Sequence, residues 1–241
     1  MLKAVFLDID NTLLDFDAYV KMSMQTGFSR FGLRPYEPWM YDVFTENNLA
    51  LWRRIERGEL DFDGLKQIRW NMIFEKLNIS FDGVAFEEYF RKYLNESAIP
   101  EEGVMEMFNA ISELKERYGF FVCAASNGPY DQQVKRLKIA GMDRYMDHVF
   151  VSEKLGVSKP FAGFYERAFE EIAKGLPVPD PADCLMVGDS LTSDVAGGKN
   201  FGMKTCLYHK NGESEEKIDA VRPDYVIEKM TDLVDVVRDL L

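Results

Sequence analysis

The sequence predicts an α/β protein, a Rossmann-like parallel sheet core interrupted by one all-helical insertion, on three observations. Short uninterrupted apolar runs recur along the chain, as strands buried on both faces of a parallel sheet require. The first run ends at Asp8 and the next convincing one begins only near Phe120, with helix-period patterning between them. From Pro100 onward helix and strand patterns alternate, which argues for a mainly parallel sheet with right-handed crossovers.

Taken in order, Lys3-Ala4-Val5-Phe6-Leu7 leads into Asp8 as the first strand. Residues 39–57 carry Met40, Val43, Phe44, Leu51 and Ile55 on one side and stop at Gly58, while residues 62–77 repeat Leu65, Ile68, Met72 and Ile73 at helical spacing. A third run gathers Phe86, Phe90, Tyr93 and Leu94. The insertion is therefore drawn over residues 16–95, leaving 1–15 and 96–241 for the α/β core. Val104, Met107, Phe108, Ile111 and Leu114 form the first helical stripe of the core, closed by Gly119. Strands follow at 120–125, 148–151, 184–188, 204–208 and 225–227. Leu233, Val236, Val237 and Leu240, behind Thr231 and Asp232, close the chain with an amphipathic helix. Residues 209–222 are charged and irregular and read as a surface loop.

At 241 residues and 46% hydrophobic, the chain is long enough to bury a sizeable interior. No stretch resembles a membrane span, and the amino terminus meets charged Asp8 too early for a secretory apolar segment, so the expectation is a cytoplasmic protein without a membrane partner. Cys123, Cys184 and Cys206 sit inside apolar runs, where cysteine acts as a small hydrophobe rather than a disulfide or zinc ligand. The balance of 29 basic against 41 acidic residues, a formal charge of -12, disfavours a nucleic acid polymer as partner. A small phosphorylated metabolite fits, provided local cations offset that field.

Four segments carry the polar groups such a substrate needs: Asp8-Ile9-Asp10-Asn11-Thr12, Ser126-Asn127-Gly128, Ser158-Lys159-Pro160, and Gly188-Asp189-Ser190-Leu191-Thr192-Ser193-Asp194. Three of them follow a predicted strand, where open α/β sheets place their ligands. A carboxylate at Asp8 can attack phosphorus and carry an aspartyl phosphate. Asp10, brought close by a tight turn, can protonate the leaving oxygen and then deprotonate water. Carboxylates gathered without histidine need a hard divalent cation and suit magnesium, with Asp8, the Asp10 backbone carbonyl and Asp189 as ligands. The Ser126 hydroxyl, the Asn127 amide and the Lys159 ammonium are placed to hold the phosphoryl oxygens. Asp194 belongs in the second layer, orienting Lys159 or a metal-bound water.

These residues resemble the haloacid dehalogenase superfamily of phosphohydrolases, whose pattern is D-x-D-x-T, then S/T, then K, then G-D-x-x-x-x-D. The resemblance spans nearly the whole chain and implies a HAD-like core with residues 16–95 as its inserted cap, whose closure would set substrate choice. Leu13-Leu14-Asp15-Phe16-Asp17, Ser126-Asn127-Gly128 and Val151-Ser152-Glu153-Lys154-Leu155-Gly156-Val157-Ser158-Lys159-Pro160 are most similar to the bacterial pyrimidine 5′-nucleotidase branch. That branch implies nucleoside 5′-monophosphates as substrates. Ser126 stands where it usually carries Thr, and Gly197-Gly198-Lys199-Asn200-Phe201-Gly202 where an Ala-containing version is commoner, changes that remove no catalytic group.

Other readings remain beside it. The same motifs serve phosphatases of sugar phosphates or phosphoglycolate, phosphomutases and 2-haloacid dehalogenases, although a dehalogenase has no need of the acid at Asp10. A phosphate-accepting signalling domain also gathers carboxylates, hydroxyl and lysine, but as a shorter module without a helical insertion. Gly198-Lys199 fails the phosphate-loop pattern, since Ser193 and Asn200 stand where Gly and Ser or Thr belong, and reads as a helix end. His148 and His209 flank strands. Trp52 and Trp70 pack at helical spacing, with base stacking as the alternative, and Arg53, Arg54 and Arg57 read as a solvated face.

Overall fold

Apolar runs become strands here because the sheet is covered on both faces. The computed structural model describes residues 1–175, 177–210 and 214–241, and divides them into two compact units, residues 16–97 and residues 1–15 with 98–241. In the second of these, six strands, β1 (Ala4–Leu7), β2 (Phe121–Ser126), β3 (His148–Val151), β4 (Cys184–Gly188), β5 (Lys204–Tyr208) and β6 (Tyr225–Ile227), pair in the order β3-β2-β1-β4-β5-β6. Every pairing is parallel, with Leu7 opposite both Ala124 and Val187.

Alternate residues of these strands feed two separate cores. Val5, Leu7, Val122, Ala124, Leu185 and Val187 pack with Val104, Met107, Phe108 and Ile111 and with Leu233, Val236 and Val237. Ala4, Phe6, Cys123, Ala125, Cys184 and Met186 pack with Phe164, Tyr165, Ala168, Phe169 and Ile172. The first set of helical residues lies on α5 (Val104–Tyr118) and α11 (Leu233–Leu240), the second on α8 (Ala162–Ala173). All three cysteines are buried and unpaired. The connections run out from β1 in opposite directions, so the carboxyl ends of β1, β2 and β4 surround the topological switch point where such sheets bind ligands.

Residues 16–97 form four helices, α1 (Phe16–Arg30), α2 (Trp39–Glu56), α3 (Phe62–Lys76) and α4 (Gly83–Glu96). The unit ends at Ser97, two residues past the boundary drawn from sequence, because α4 runs to Glu96. Asp61 caps α3 by accepting from Gly64 N–H, and Asp82 caps α4 by accepting from Val84 and Ala85 N–H, which satisfies donors that a helix start leaves open. Its core is aromatic: Trp70 packs against Phe44, Phe74, Phe86 and Phe90 at 4.4 to 5.5 Å between ring centroids. Trp70 is wholly buried, so of the two readings of that ring the structure selects packing and rules out stacking on a base. Trp52 is half-buried and lies edge-on to Phe62. Arg69 and Glu87 form a buried two-point ion pair at 2.9 and 2.5 Å.

One expectation of a loop is corrected. Within residues 209–222 the segment Glu215–Val221 is helix α10, while residues 211–213 lie outside the described residues. Ile218 and Val221 alone face inward, toward Leu191, Val195 and Leu207, so the apolar stripe is too narrow to be seen in the sequence. Glu215 and Glu216 in its first turn suit the positive end of the helix. Gly198-Lys199 lies in the short helix α9 (Ala196–Asn200). No helix among the described residues is long and apolar enough to cross a membrane.

Candidate active site

The loop after β1 turns sharply because Ile9 C=O accepts from Thr12, Leu13 and Leu14 N–H, and because Asn11 adopts φ 60°, a left-handed conformation that asparagine tolerates well. This turn carries Asp8 and Asp10. After β4 a π-helical turn over Leu191–Val195 leads into α9, and it brings Asp194 back against the strand end. A Cβ at Gly188 would lie 2.2 Å from Asp194 Oδ2, so only glycine at the end of β4 admits that carboxylate.

Lys159 is the hub. Its ammonium, 1% exposed, donates to Asp8 Oδ1 at 2.7 Å, Asp194 Oδ1 at 2.6 Å and the Ala125 carbonyl at 2.7 Å. Burial alone would push this ammonium down, but the carboxylates of Asp194 and Asp8 hold it well above its ordinary value. Asp194 is fixed from its other side, where Oδ2 accepts from Ser190 N–H at 3.1 Å. The structure therefore brings together the predicted Asp8, Lys159 and Asp194. All three ammonium donors are taken up, so Lys159 reaches a phosphoryl oxygen only by leaving or sharing one of these acceptors.

Asp189 completes a carboxylate group: one oxygen from each of Asp8, Asp189 and Asp194 falls within 4.8 Å of the others. Burial pushes the Asp8 carboxyl up from 3.8 to about 7, with Lys159 pulling down and Asp194 pushing up further, and burial likewise holds Asp189 well above its ordinary value. Three carboxylates facing one ammonium are short of positive charge, and an all-oxygen donor set of this kind fits a hard divalent cation.

On the β2 side, Ser126 is buried and its Oγ accepts from Gly128 N–H at 3.0 Å. The Asn127 side chain is engaged elsewhere: its Nδ2 donates to Lys159 C=O at 2.9 Å and its Oδ1 accepts from Lys159 N–H at 2.8 Å. That two-way bond ties the loop after β2 to the loop carrying Lys159. The Asn127 side-chain amide, expected to hold a phosphoryl oxygen, is thus already paired with the Lys159 backbone.

Asp10 has partners that no sequence motif announces. Helix α6 (Tyr130–Ile139) turns Gln133 and Arg136 inward, and they donate to Asp10 Oδ2 and Oδ1 respectively, each at 2.6 Å. Their signal in the sequence is faint. Gln133, Arg136 and Leu137 form the buried i, i+3, i+4 stripe of α6, so two polar residues occupy positions where a core-facing helix ordinarily carries apolar ones.

A family model for haloacid dehalogenase-like hydrolases matches residues 2–202. The pyrimidine 5′-nucleotidase PynA of Streptococcus pneumoniae is 30% identical over 233 residues, covering 97% of this chain and 94% of PynA. The pyrimidine 5′-nucleotidase YjjG of Escherichia coli is 28% identical over 232 residues, covering 95% of each chain. Among solved structures, that of the HAD-hydrolase YfnB of Bacillus subtilis bound to magnesium superposes with a TM-score of 0.85 at 26% identity, covering 98% of this chain and 99% of that one. Four motifs in order, a six-stranded parallel sheet and relatives of matching length thus agree, and the chain belongs to the haloacid dehalogenase-like hydrolases, grouped by its nucleotidase relatives with the phosphatases of that family.

Proposed function

We propose that this protein is a magnesium-dependent phosphomonoester hydrolase that works through an aspartyl phosphate on Asp8 and takes nucleoside 5′-monophosphates as substrates. The observation that carries the chemistry is the set formed by Asp8, Asp194 and Lys159 with Asp10 two residues from the nucleophile. The similarity to PynA and YjjG supports the substrate class.

In this reading an Asp8 carboxylate oxygen attacks phosphorus while the ester P–O bond breaks, and the departing alkoxide takes a proton from Asp10. Asp10 then takes a proton from water as that water attacks phosphorus; the acyl phosphate P–O bond breaks, releasing inorganic phosphate and restoring Asp8. Lys159 holds Asp8 in place and supplies positive charge beside the phosphoryl group. The Ser126 hydroxyl and the Asn127 main-chain N–H donate to phosphoryl oxygens. Asp8, Asp189 and the Asp10 backbone carbonyl are the groups to hold magnesium, which when bound would neutralise carboxylate charge and polarise the phosphoryl oxygens.

Phosphate release measured over nucleoside monophosphates, sugar phosphates and phosphoglycolate, with and without magnesium, tests the proposal. Turnover of nucleoside 5′-monophosphates that requires magnesium supports it. Preference for a sugar phosphate or phosphoglycolate would overturn the substrate class alone, whereas release of halide from a 2-haloacid without phosphatase activity would overturn the reaction.

A further inference from the structure

Gln133 and Arg136 are too deeply buried to be surface polar residues and are placed to do more than pack. Gln133 is fully enclosed and Arg136 is 1% exposed, whereas the Asp10 side chain that they hold remains 32% exposed and reachable. The pattern of bonds fixes every proton. Arg136 Nη1 donates to Asp10 Oδ1 and to Gln133 Oε1, the latter at 3.0 Å, and a guanidinium has donors only. The Gln133 oxygen must therefore face Arg136, which leaves its amide nitrogen facing Asp10 Oδ2 at 2.6 Å and Ser126 Oγ at 2.9 Å. Both amide protons are then used.

The consequence reaches Ser126. Its Oγ accepts from Gln133 Nε2 and from Gly128 N–H, which fills both lone pairs of a hydroxyl and leaves its own proton to be donated outward. The fit is tight as well: a Cβ at Gly128 would lie 2.4 Å from Gln133 Nε2, so glycine at 128 is what lets the amide approach. Arg136 Nε has no partner among the described residues, and a buried cation with an open donor is a poor substitute for an apolar side chain as packing. Its contribution lies in what it holds.

We propose that Gln133 and Arg136 are positioning residues for the phosphoryl-transfer reaction, a buried pair that fixes the Asp10 carboxylate and, through Gln133, turns the Ser126 hydroxyl proton toward the phosphoryl group. This rests on the function proposed above. Arg136 bonds Asp10 directly and reaches Ser126 only through Gln133, whereas Gln133 bonds both Asp10 and the phosphoryl-binding hydroxyl. Their removal is therefore expected to have different kinetic signatures.

The test is kcat/KM for two substrates, p-nitrophenyl phosphate, whose phenolate departs without a proton, and a nucleoside 5′-monophosphate, whose alkoxide needs one. Wild type, Arg136→Met, Arg136→Lys, Gln133→Met and Asp10→Asn are compared in magnesium, with circular dichroism and thermal melts to report folding. Arg136→Met is expected to lower kcat/KM for the nucleotide by about tenfold or more, within the span of lost acid–base assistance, and to change p-nitrophenyl phosphate turnover far less. Arg136→Lys should recover part of that selective loss. Gln133→Met should add a loss common to both substrates, and neither substitution should add a selective loss in the Asp10→Asn background. Equal losses for both substrates in Arg136→Met, or no loss at all, would overturn the inference while wild-type activity leaves the phosphatase reading standing. If Arg136→Met does not fold, the same comparison made with Arg136→Lys decides: a selective loss supports the pair and a uniform one rejects it. A wild-type protein that releases phosphate from neither substrate would instead reject the functional reading itself.

Discussion

At the scale of single residues, Asp8 is the proposed nucleophile and a carboxyl that burial raises. Replacement by Asn keeps its shape and removes its nucleophilicity, so Asp8→Asn should abolish turnover with the fold intact; phosphate release within tenfold of wild type would rule out attack by this carboxylate. Its titration gives a second expectation. Because burial raises the carboxyl from 3.8 to about 7, the folded chain keeps a proton that the unfolded chain has already released across that interval. The folded state then binds more protons, so without metal stability falls as pH rises from about 4 to about 7, by an amount on the order of a few kcal/mol. Thermal melts with a chelator should show this slope, Asp8→Asn should make it shallower while the raised Asp189 carboxyl keeps part of it, and magnesium added near neutral pH should restore stability by mass action. An equal slope in the variant would mean that other groups set the pH dependence. The same geometry ranks the proposed metal ligands. Both oxygens of Asp194 are engaged, by Lys159 and by Ser190 N–H, so Asp189→Ala should weaken magnesium activation more than Asp194→Ala does. The reverse order in metal titrations would exchange their roles.

Elements differ in how plainly the sequence announces them, and the reason is burial. β1, β2 and β4 are read without difficulty because a parallel sheet covered on both faces leaves no polar interruption in its strands. Asp8, Ser126 and Asp189 are legible for the same reason, each being the first polar group after such a run. Helix α10 escapes because two inward residues make no stripe, and Gln133 and Arg136 escape because a polar residue on a helix reads as solvent-facing until packing turns it inward. The engagement of the Asn127 side chain with Lys159 is equally invisible, being a contact across 32 positions of sequence. Within the four-helix unit the buried Trp70 gives a direct check. Trp70→Ala should cost about 3 to 5 kcal/mol, as large aromatic truncations in a core do, while leaving the ranking of substrates unchanged. A variant of wild-type stability with an altered substrate ranking would contradict the assignment of that ring to the core.

For the whole molecule, a net charge of -12 makes the proposed anionic substrate dependent on a few concentrated cations, Lys159 and the proposed divalent ion foremost. All of the proposed reacting groups lie in residues 1–15 and 98–241, so the proposed chemistry belongs to that unit. In the proposed mechanism the phosphoryl group passes through Asp8. A single turnover of a nucleoside 5′-monophosphate, quenched in acid and digested for mass spectrometry, tests it most directly. A phosphate adduct is expected on the peptide containing Asp8, accumulating further in Asp10→Asn as water attack slows, and absent in Asp8→Asn. Turnover with no adduct at any time, or an adduct on another residue, would contradict it.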